Sequence, residues 1–347
     1  MTLAALTALG RRPVWVRWGL LGAGLLTALA LPWLLYPPVA TDILCWGLFA
    51  VAVDLLLGYT GLLSFGHAAF WGTATYTTGV IAIHTGVPFY LAVLGGALMA
   101  ALLALPIGYL SVCRSGIYFA MVTLAFAQML YFAANQWRSV TGGENGLQDI
   151  PRSLAGVDLS NAFFYYYAAL PLILLGLAFA WRTVHSPFGR IIVAIRENTP
   201  RVRALGYPAD RYKLVVFVVS ASLSGLAGGV HAVNHGFASL QEVYWTTSGT
   251  VVVMTILGGI GTLWGSLVGA ALIVRLQDWL STSGFDEVGL ATGAVFILVV
   301  LLFRRGMWGT VAHALRRRTA RPAAEETGPV GDVNPDSDRE QELRSIG

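Results

Sequence analysis

The residues that could do chemistry in the apolar part of this sequence are one aspartate and three histidines. Asp54 lies inside a long apolar run, and His67, His231 and His235 lie in or beside others. An enzyme working there would need acids and histidines that converge on one reacting group. These four residues have no recognisable catalytic spacing, so the sequence does not favour catalysis by this chain.

The sequence contains no recognisable cofactor-binding motif either. Cys45 and Cys113 lie in or beside apolar runs and match no metal or redox spacing, so we expect small core residues. The stretch VTGGENGL at 140–147 lacks the Gly-Lys-Ser/Thr ending of a phosphate-binding loop. No Walker motif occurs, so ATP hydrolysis is not expected here. We predict no metal and no cofactor in this chain.

The composition predicts the elements that must position these residues. The 347 residues are 56% hydrophobic and 12% charged, whereas soluble domains carry roughly 25% charged residues. Several apolar stretches reach the roughly 20 residues that cross a bilayer. The chain is therefore predicted to be a polytopic protein of the lipid bilayer. Its net charge of +4 then concerns orientation in the membrane, and we expect no nucleic-acid partner.

Apolar runs bounded by Gly, Pro or charge predict eight spanning helices. They are 18–36, 43–58, 66–84, 89–112, 116–134, 162–181, 213–236 and 288–303. A further region, 247–275, is interrupted by Gly258, Gly259, Gly261 and Gly265. The predicted fold is all-α, with about eight full transmembrane helices plus this glycine-broken pair of short or re-entrant helices. That makes roughly nine or ten membrane segments, with cytoplasmic helices in addition.

Basic residues predict the orientation, because Lys and Arg collect on the cytoplasmic side. A cytoplasmic N-terminus places the Arg-rich loop 182–213 inside. If 247–275 crosses the membrane twice, inward over 247–258 and outward over 261–275, the later basic residues are inside as well. These are Arg304, Arg305 and the arginines at 316–318. The expected organisation is a cytoplasmic N-terminus (1–17), a transmembrane domain (18–305) and a basic, then disordered, cytoplasmic tail (306–347), whose composition cannot support folding.

The polar interruption from Trp181 to Lys213 holds seven of the 22 Lys and Arg residues. Ser186 and Pro187 form a helix start, and Phe188, Ile191, Ile192 and Ile195 then share one face. Thr199 and Pro200 repeat the start signal, and Gly206 and Pro208 form a stop signal. The pattern predicts a helix, a break and a second helix. The first is amphipathic, so it either docks on a protein or rests on lipid headgroups.

The stretch GYTGLLSFGHAAFWGTATYTTG, residues 58–79, holds five glycines together with Ser64 and His67. Each glycine weakens a helix by about 1 kcal/mol relative to alanine. The cluster therefore indicates either close helix packing or a deliberate break, which a membrane tolerates only where protein or water covers the backbone. Taken alone, His67 is expected to be a hydrogen-bonded core residue rather than a ligand.

Asp54 needs an explanation of its own, because a charge inside a span costs about 2.5–3.5 kcal/mol on insertion scales. We expect its side chain to face protein or water. A role in assembly, by hydrogen bonding to a neighbouring helix, is favoured over contact with a substrate.

The motif GYTGLLSFGHAAF at 58–70 resembles the signature of LivM-type permeases, the membrane subunits of branched-chain amino acid ABC importers. The resemblance continues in GIYFAMVTLAFAQMLYF, VTGGENGL, SPFGRIIVAIRENTPRVRALGY and GGIGTLWGSLVGA, in order from about residue 40 to 305. Urea-importer permeases share most of these motifs. Ala74 and Thr75 depart from the usual Gly-Ala pair.

The resemblance implies partners: a homologous second permease of the LivH type, two ATPase subunits that bind ATP and Mg, and a periplasmic or extracellular binding protein. It implies a bacterial inner-membrane location, with both termini cytoplasmic. It favours docking of the amphipathic helix on an ATPase. The residues assigned to that coupling are Phe188, Arg190, Ile192, Ile195, Arg196, Glu197, Arg203 and Gly206.

Two other groups of residues receive expected roles, the first because glycine-broken backbone at membrane depth can line a polar cavity. The translocation path is assigned to Gly58, Gly61, Ser64, Gly66, His67, Gly258, Gly259, Gly261 and Gly265. The external loop with Thr141, Gly142, Gly143 and Asn145 either meets the binding protein or is an ordinary turn.

The leading hypothesis is therefore a permease subunit that translocates branched-chain or related small amino acids. A urea or short-amide permease is the alternative within the same class. An ion-coupled secondary transporter would need paired intramembrane acids or a clear inverted repeat, and Asp54 is the single acid that the sequence offers. The sequence does not name the substrate.

Overall fold

The computed structural model describes residues 14–114, 116–154 and 157–283, together with the isolated positions 289, 293, 294 and 297. The predicted span 288–303 and the predicted tail 306–347 lie outside the described residues. The regular secondary structure of the described part is helical apart from two short strands. Its helices are α1 Val14–Leu34, α2 Pro37–Thr60, α3 His67–Thr85, α4 Phe89–Ser111, α5 Ile117–Gln136, α6 Arg138–Thr141, α7 Ala162–Val184, α8 Pro187–Ala204, α9 Ala209–His235, α10 Trp245–Gly258 and α11 Leu263–Thr282.

The remaining regular elements are short. Two 3-10 turns cover Gly143–Asn145 and Leu240–Glu242. Strands β1, Ser153–Leu154, and β2, Val157–Asp158, pair antiparallel. The predicted all-α class is therefore confirmed for the described residues, with this small hairpin in the connection before α7.

Five described helices are long and apolar enough to cross a membrane, namely α2, α4, α5, α7 and α9. The pair α10 and α11, bent by 118° at its break, counts as a sixth if it forms one broken span. Helix α3 has 19 residues, but its threonines, histidines and glycines keep it below the apolarity of a candidate span. The finding is five or six candidate spans, and the count of about eight stays a prediction.

Helix boundaries differ from the predicted spans mainly where polar residues belong to a helix. Helix α2 begins at Pro37 rather than at 43, because prolines fit the first helical positions. Its Asp42 is hydrogen-bonded to histidines of α9. Helix α11 continues beyond Arg275, which pairs with Asp278 at 2.5 Å, an i,i+3 contact that supports a helix.

Helices α2 and α9 form the centre of the bundle and run antiparallel. In α2, 83% of the most apolar stretch is buried, against 22% in α5. Asn234 Nδ2 of α9 donates to the Pro38 carbonyl of α2 at 3.2 Å, and the Ser220 hydroxyl donates to the Ala52 carbonyl halfway along. We name the two ends of the bundle the His235 end and the Arg196 end, after residues described below.

The outer helices present large apolar side chains on their surfaces. Exposed examples are Leu98, Tyr109, Met121, Phe132, Phe164 and Leu175 on α4, α5 and α7. Contiguous apolar surface of this kind is rare on soluble monomers and is typical of lipid or partner contact. The distribution fits a bundle whose centre is α2 and α9 and whose periphery faces hydrocarbon.

Candidate functional site: a junction of two glycine breaks

The first break separates α2 from α3. Helix α2 ends at Thr60, residues 61–66 are not helical, and α3 begins at His67. Gly61 has φ +76°, a left-handed conformation that glycine adopts without the steric cost of a side chain. Its N–H donates to the Leu57 carbonyl at 3.2 Å, which closes the last turn of α2. The break that the sequence predicts as one of two possibilities is therefore present.

The second break separates α10, with 14 residues, from α11, with 20 residues, so the predicted interruption is present but the second helix is not short. Gly261 in the connection has φ +78°. A methyl group on Gly265 would lie 2.5 Å from the Gly258 carbonyl oxygen, and one on Gly258 would overlap the Gly265 carbonyl. Because no real Cβ tolerates such contacts with backbone, both positions need glycine for the two helices to meet.

Asp54 joins the two breaks. Its Oδ1 accepts a hydrogen bond from the Gly261 N–H at 2.7 Å. A Cβ on Gly58 would lie 2.5 Å from Gly261 N and would overlap the Asp54 carboxylate. The sequence predicts that Asp54 forms a hydrogen bond to a neighbouring helix. The observed partner is a backbone amide in the connection between α10 and α11. Asp54 is fully buried, and its Oδ2 has no hydrogen-bond partner among the described residues.

Arg196 of α8 connects the same place to the polar interruption. Its guanidinium donates to the Gly58 carbonyl oxygen, and its aliphatic stem lies over Gly61, where a Cβ would be 3.1 Å from Arg196 Cγ. The carbonyl of Gly58 and the carboxylate of Asp54 thus bind donors from two different elements. We call Asp54, Gly58, Gly61, Arg196 and the connection 259–262 the glycine junction.

Helix α8 has the predicted helix-break-helix form. The Ser186 hydroxyl accepts from the Gly189 N–H at 3.2 Å, which caps the first half. The backbone leaves helical geometry at Asn198, whose side-chain oxygen accepts from the Arg201 N–H at 3.0 Å. The cap of the second half is therefore Asn198, not Thr199, whose hydroxyl donates back to the Ile195 carbonyl at 2.8 Å.

The apolar face of α8 packs against other helices of this chain. Ile192 and Ile195 are buried within this chain, and Ile195 packs with Val202 in a small cluster. Phe188 stacks on Tyr212 of α9 with ring centroids 5.6 Å apart. Ile192 and Ile195 are therefore covered by the chain's own helices, whereas Phe188 is half-buried, and a role of these residues in contact with an ATPase stays a prediction.

The opposite face of α8 is exposed. Arg190, Glu197 and Arg203 lie there, and Arg203 pairs with Asp210 at 2.8 Å. The helix ends at Ala204, and its C-cap residue, Leu205, is 71% exposed. The sequence did not single out Leu205, because one leucine after an arginine-rich stretch carries no periodic signal. An exposed leucine among arginines is a feature that only the structure reveals.

His67 and Ser64 are buried at the start of α3. His67 Nε2 lies 2.8 Å from Ser220 Oγ, and because that hydroxyl donates to the Ala52 carbonyl, Nε2 is the donor. The expectation of a hydrogen-bonded core histidine is confirmed. Ser64 Oγ accepts from the Gly66 N–H at 3.1 Å. Ser248 of α10 accepts from the Ala68 N–H at 2.7 Å and so caps α3, a contact that sequence reasoning missed.

The predicted external loop lies at the His235 end and is an ordered turn. The Thr141 hydroxyl donates to the Ala134 carbonyl at 2.6 Å and accepts from the Gly143 N–H at 3.2 Å. Leu147 bridges to Ala238 beyond α9. Gly142 and Asn145 are exposed. The turn is therefore held by its own contacts, and a role toward a binding protein stays a prediction.

Comparison with known proteins identifies the family of this chain. The sequence pattern of the family described as "Branched-chain amino acid transport system / permease component" matches residues 37–304. The chain belongs to this family. The match includes the whole glycine junction and all of α8. No solved structure matches the chain.

Three relatives show limited sequence identity to the chain. The chain is 27% identical to the "High-affinity branched-chain amino acid transport system permease protein LivM" of Escherichia coli (strain K12), over 78% of this chain and 69% of that protein. It is 25% identical to the LivM of Salmonella typhimurium, over 83% and 73%. A shorter similarity, 32% over 31% of this chain and 34% of the relative, links it to the "Autoinducer 2 import system permease protein LsrC" of Photorhabdus laumondii.

Proposed function

We propose that this chain is a transmembrane permease subunit of an ATP-driven importer for branched-chain or related small amino acids in a bacterial inner membrane. Family membership over residues 37–304 supports the class, and the two LivM relatives support the substrate. Hydrolysis of ATP belongs to separate ATPase subunits. A LivH-type second permease and an external binding protein complete the complex.

The observation that carries the mechanism is the glycine junction. Arg196 of α8 bonds the carbonyl of Gly58, and Asp54, one turn earlier in α2, bonds the Gly261 amide. A displacement of α8 therefore acts on both breaks at once. Helices in a packed bundle move as rigid bodies about breaks of this kind. Movement imposed by an ATPase on α8 is thereby converted into opening or closing of the segments beside the breaks.

The proposed path follows the residues at and after the breaks. Gly58, Gly61, Ser64, Gly66 and His67 form one side, and the connection with Gly258, Gly259, Gly261 and Gly265 forms the other. Backbone groups freed at such breaks can bind the charged ends of a zwitterionic amino acid. Ser64 and His67 are buried in this structure, which corresponds to a closed segment of the path.

The proposed orientation places the Arg196 end in the cytoplasm and the His235 end outside. It puts the exposed basic face of α8 on the side that positive charge favours. Both chain termini are then cytoplasmic. The proposed contact surface for an ATPase is the exposed set Arg190, Glu197, Arg203 and Leu205 near Gly206, in place of the buried isoleucines.

Transport by the reconstituted complex tests the proposal. Proteoliposomes containing this chain, its partner subunits and internal ATP should accumulate labelled leucine only when the binding protein is present outside. Labelled urea serves as the comparison substrate. Accumulation of urea without leucine would overturn the amino-acid assignment, and leucine uptake that follows an ion gradient without ATP would overturn the class.

A further inference from the structure

The His235 end holds a side-chain cluster that the proposed function does not use. Asp42 of α2 lies between His231 and His235 of α9. His231 Nδ1 is 3.1 Å from Asp42 Oδ1, and His235 Nε2 is 3.0 Å from Oδ1 and 3.1 Å from Oδ2. One possible ligand atom from each residue lies within 4.8 Å of the other two. Within the part of the chain that the structure describes, no other three His, Cys, Asp or Glu residues meet this condition.

We propose that Asp42, His231 and His235 form a binding site for a divalent transition metal ion of the Zn²⁺ type. Imidazole nitrogens with one carboxylate oxygen are a ligand set that zinc accepts, and three protein ligands leave a fourth position for water. His231 and His235 are four residues apart, so they project from the same face of α9. The sequence alone gave no reason to expect the site, because Asp42 comes from a helix almost 190 residues earlier.

The distances from the two ring nitrogens to the carboxylate are close to those of an occupied site, and the two nitrogens lie within 4.8 Å of each other. Metal–ligand bonds of about 2.0–2.1 Å in a tetrahedral site place neighbouring ligand atoms roughly 3.3–3.4 Å apart. The distances from the two ring nitrogens to Asp42 oxygens are 3.0–3.1 Å. An ion that replaces the shared protons therefore needs the carboxylate to move by a few tenths of an ångström and the two rings, whose centroids are 4.4 Å apart, to turn toward one point.

Residues around the cluster hold the proposed ligands in place. Asn234 Nδ2 donates to Asp42 Oδ1 at 3.0 Å, which fixes the carboxylate. His231 Nε2, the nitrogen that faces away from Asp42, lies 3.9 Å from Glu242 Oε1. Ligating histidines usually present their second ring N–H to a carboxylate or carbonyl. Glu242 Oε2 has no hydrogen-bond partner among the described residues, and we assign this carboxylate, which also interacts with Thr75 and Trp71, to that role.

The cluster also has an entry path. The exposed fractions of the side chains increase from 12% for His231 and 17% for Asp42 to 43% for His235. Water and ions therefore reach the site past His235, and the fourth ligand position lies on that side. An occupied site would join the first turns of α2 to the last turn of α9, at the opposite end of both helices from the glycine junction. Binding to the folded state alone would stabilise the protein by mass action.

The test is titration of the detergent-purified, metal-stripped full-length protein with Co²⁺, followed by displacement with Zn²⁺. We expect one equivalent of Co²⁺ to produce the intense visible absorption of a tetrahedral complex, and Zn²⁺ to remove it. His235→Ala should abolish saturable binding. Glu242→Gln, which alters only the residue behind His231, should weaken binding by about 10- to 100-fold.

The matched control is His84→Ala. His84 is also an exposed histidine in a helix, and its Nδ1 lies 3.0 Å from the carbonyl oxygen of Val80, one turn earlier in the same helix. Equal loss of binding in His84→Ala and His235→Ala would overturn the site, as would the absence of a saturable equivalent. Asp42→Asn should abolish binding too, and if that variant does not fold, His235→Ala decides, because its side chain is the most exposed of the three. A thermal stability of the wild type that Zn²⁺ leaves unchanged would show a hydrogen-bonded Asp–His cluster without a metal.

Discussion

At the scale of single residues, the glycines of the junction let neighbouring groups approach closely because they carry no side chain. The sequence identifies Gly58, Gly61 and Gly261 as unusual because glycine is costly in helices. It cannot tell which backbone approaches each one, since that depends on the register of α2 against the α10–α11 connection. The same limit applies to Asp54: its need for a partner follows from its burial, whereas the partner, an amide of Gly261, follows only from the fold.

Replacement of Gly58 by alanine tests this close approach. The new Cβ would overlap the Asp54 carboxylate and lie 2.5 Å from Gly261 N. We expect Gly58→Ala to destabilise the purified protein by about 1–3 kcal/mol, as overpacking does, and to lower its Tm.

The control is Gly249→Ala in α10, where an added Cβ meets nothing within 4 Å. It should be neutral or stabilising by up to about 1 kcal/mol, because alanine favours helices. Equal Tm values for the two variants would contradict the described contact between α2 and the second break.

At the scale of elements, the polar interruption shows what periodicity can and cannot predict. Ser186, the break before Thr199 and the stop at Gly206 were all readable, because caps and breakers are local signals. The partner of the amphipathic face was not readable. A pattern with Ile192 and Ile195 on one side shows that the face is covered, and the structure shows that this chain covers it.

The exposed end of α8 therefore becomes the place to disturb coupling. Leu205→Asp should leave the amount of folded permease unchanged and weaken ATPase association. Loss of an exposed anchor residue costs about 2 kcal/mol or more, which is roughly thirtyfold in affinity. Ile192→Asp should instead abolish accumulation of the protein, because it buries an unpaired carboxylate.

Both variants are compared with Arg182→Ala, an exposed arginine outside the proposed contact surface. The measurements are the amount of protein in the membrane and pull-down of the ATPase subunits. If the Ile192→Asp protein is stable but binds the ATPase poorly, the apolar face of α8 contacts the ATPase and the proposed exposed surface is wrong.

At the scale of the whole molecule, composition and run length were sufficient to predict a helical membrane bundle. The predicted boundaries of α3 to α5 lie within two residues of those observed. The number of spans is harder to predict, because α3 is rich in glycine and threonine and the α10–α11 pair bends by 118°. Hydropathy alone cannot decide whether such segments cross the bilayer.

Reporter fusions decide the orientation. A reporter after Arg203 or Arg318 should be cytoplasmic, and one placed within 142–155 should be external, because the Arg-rich segments collect on one side. An external signal after Arg318 would contradict the two passes assigned to α10 and α11.

The central claim is that α8 controls the first break through Arg196, and thiol labelling of Ser64 tests it most directly. In a chain with Cys45 and Cys113 replaced, a Ser64→Cys thiol is probed with a water-soluble maleimide in the full complex, with and without nucleotide. Ser64 is buried in the closed segment, so we predict labelling in one nucleotide state and protection in another. Adding Arg196→Ala should make the labelling independent of nucleotide. A thiol that is unreactive in every state, or nucleotide-dependent labelling that survives Arg196→Ala, would contradict the account.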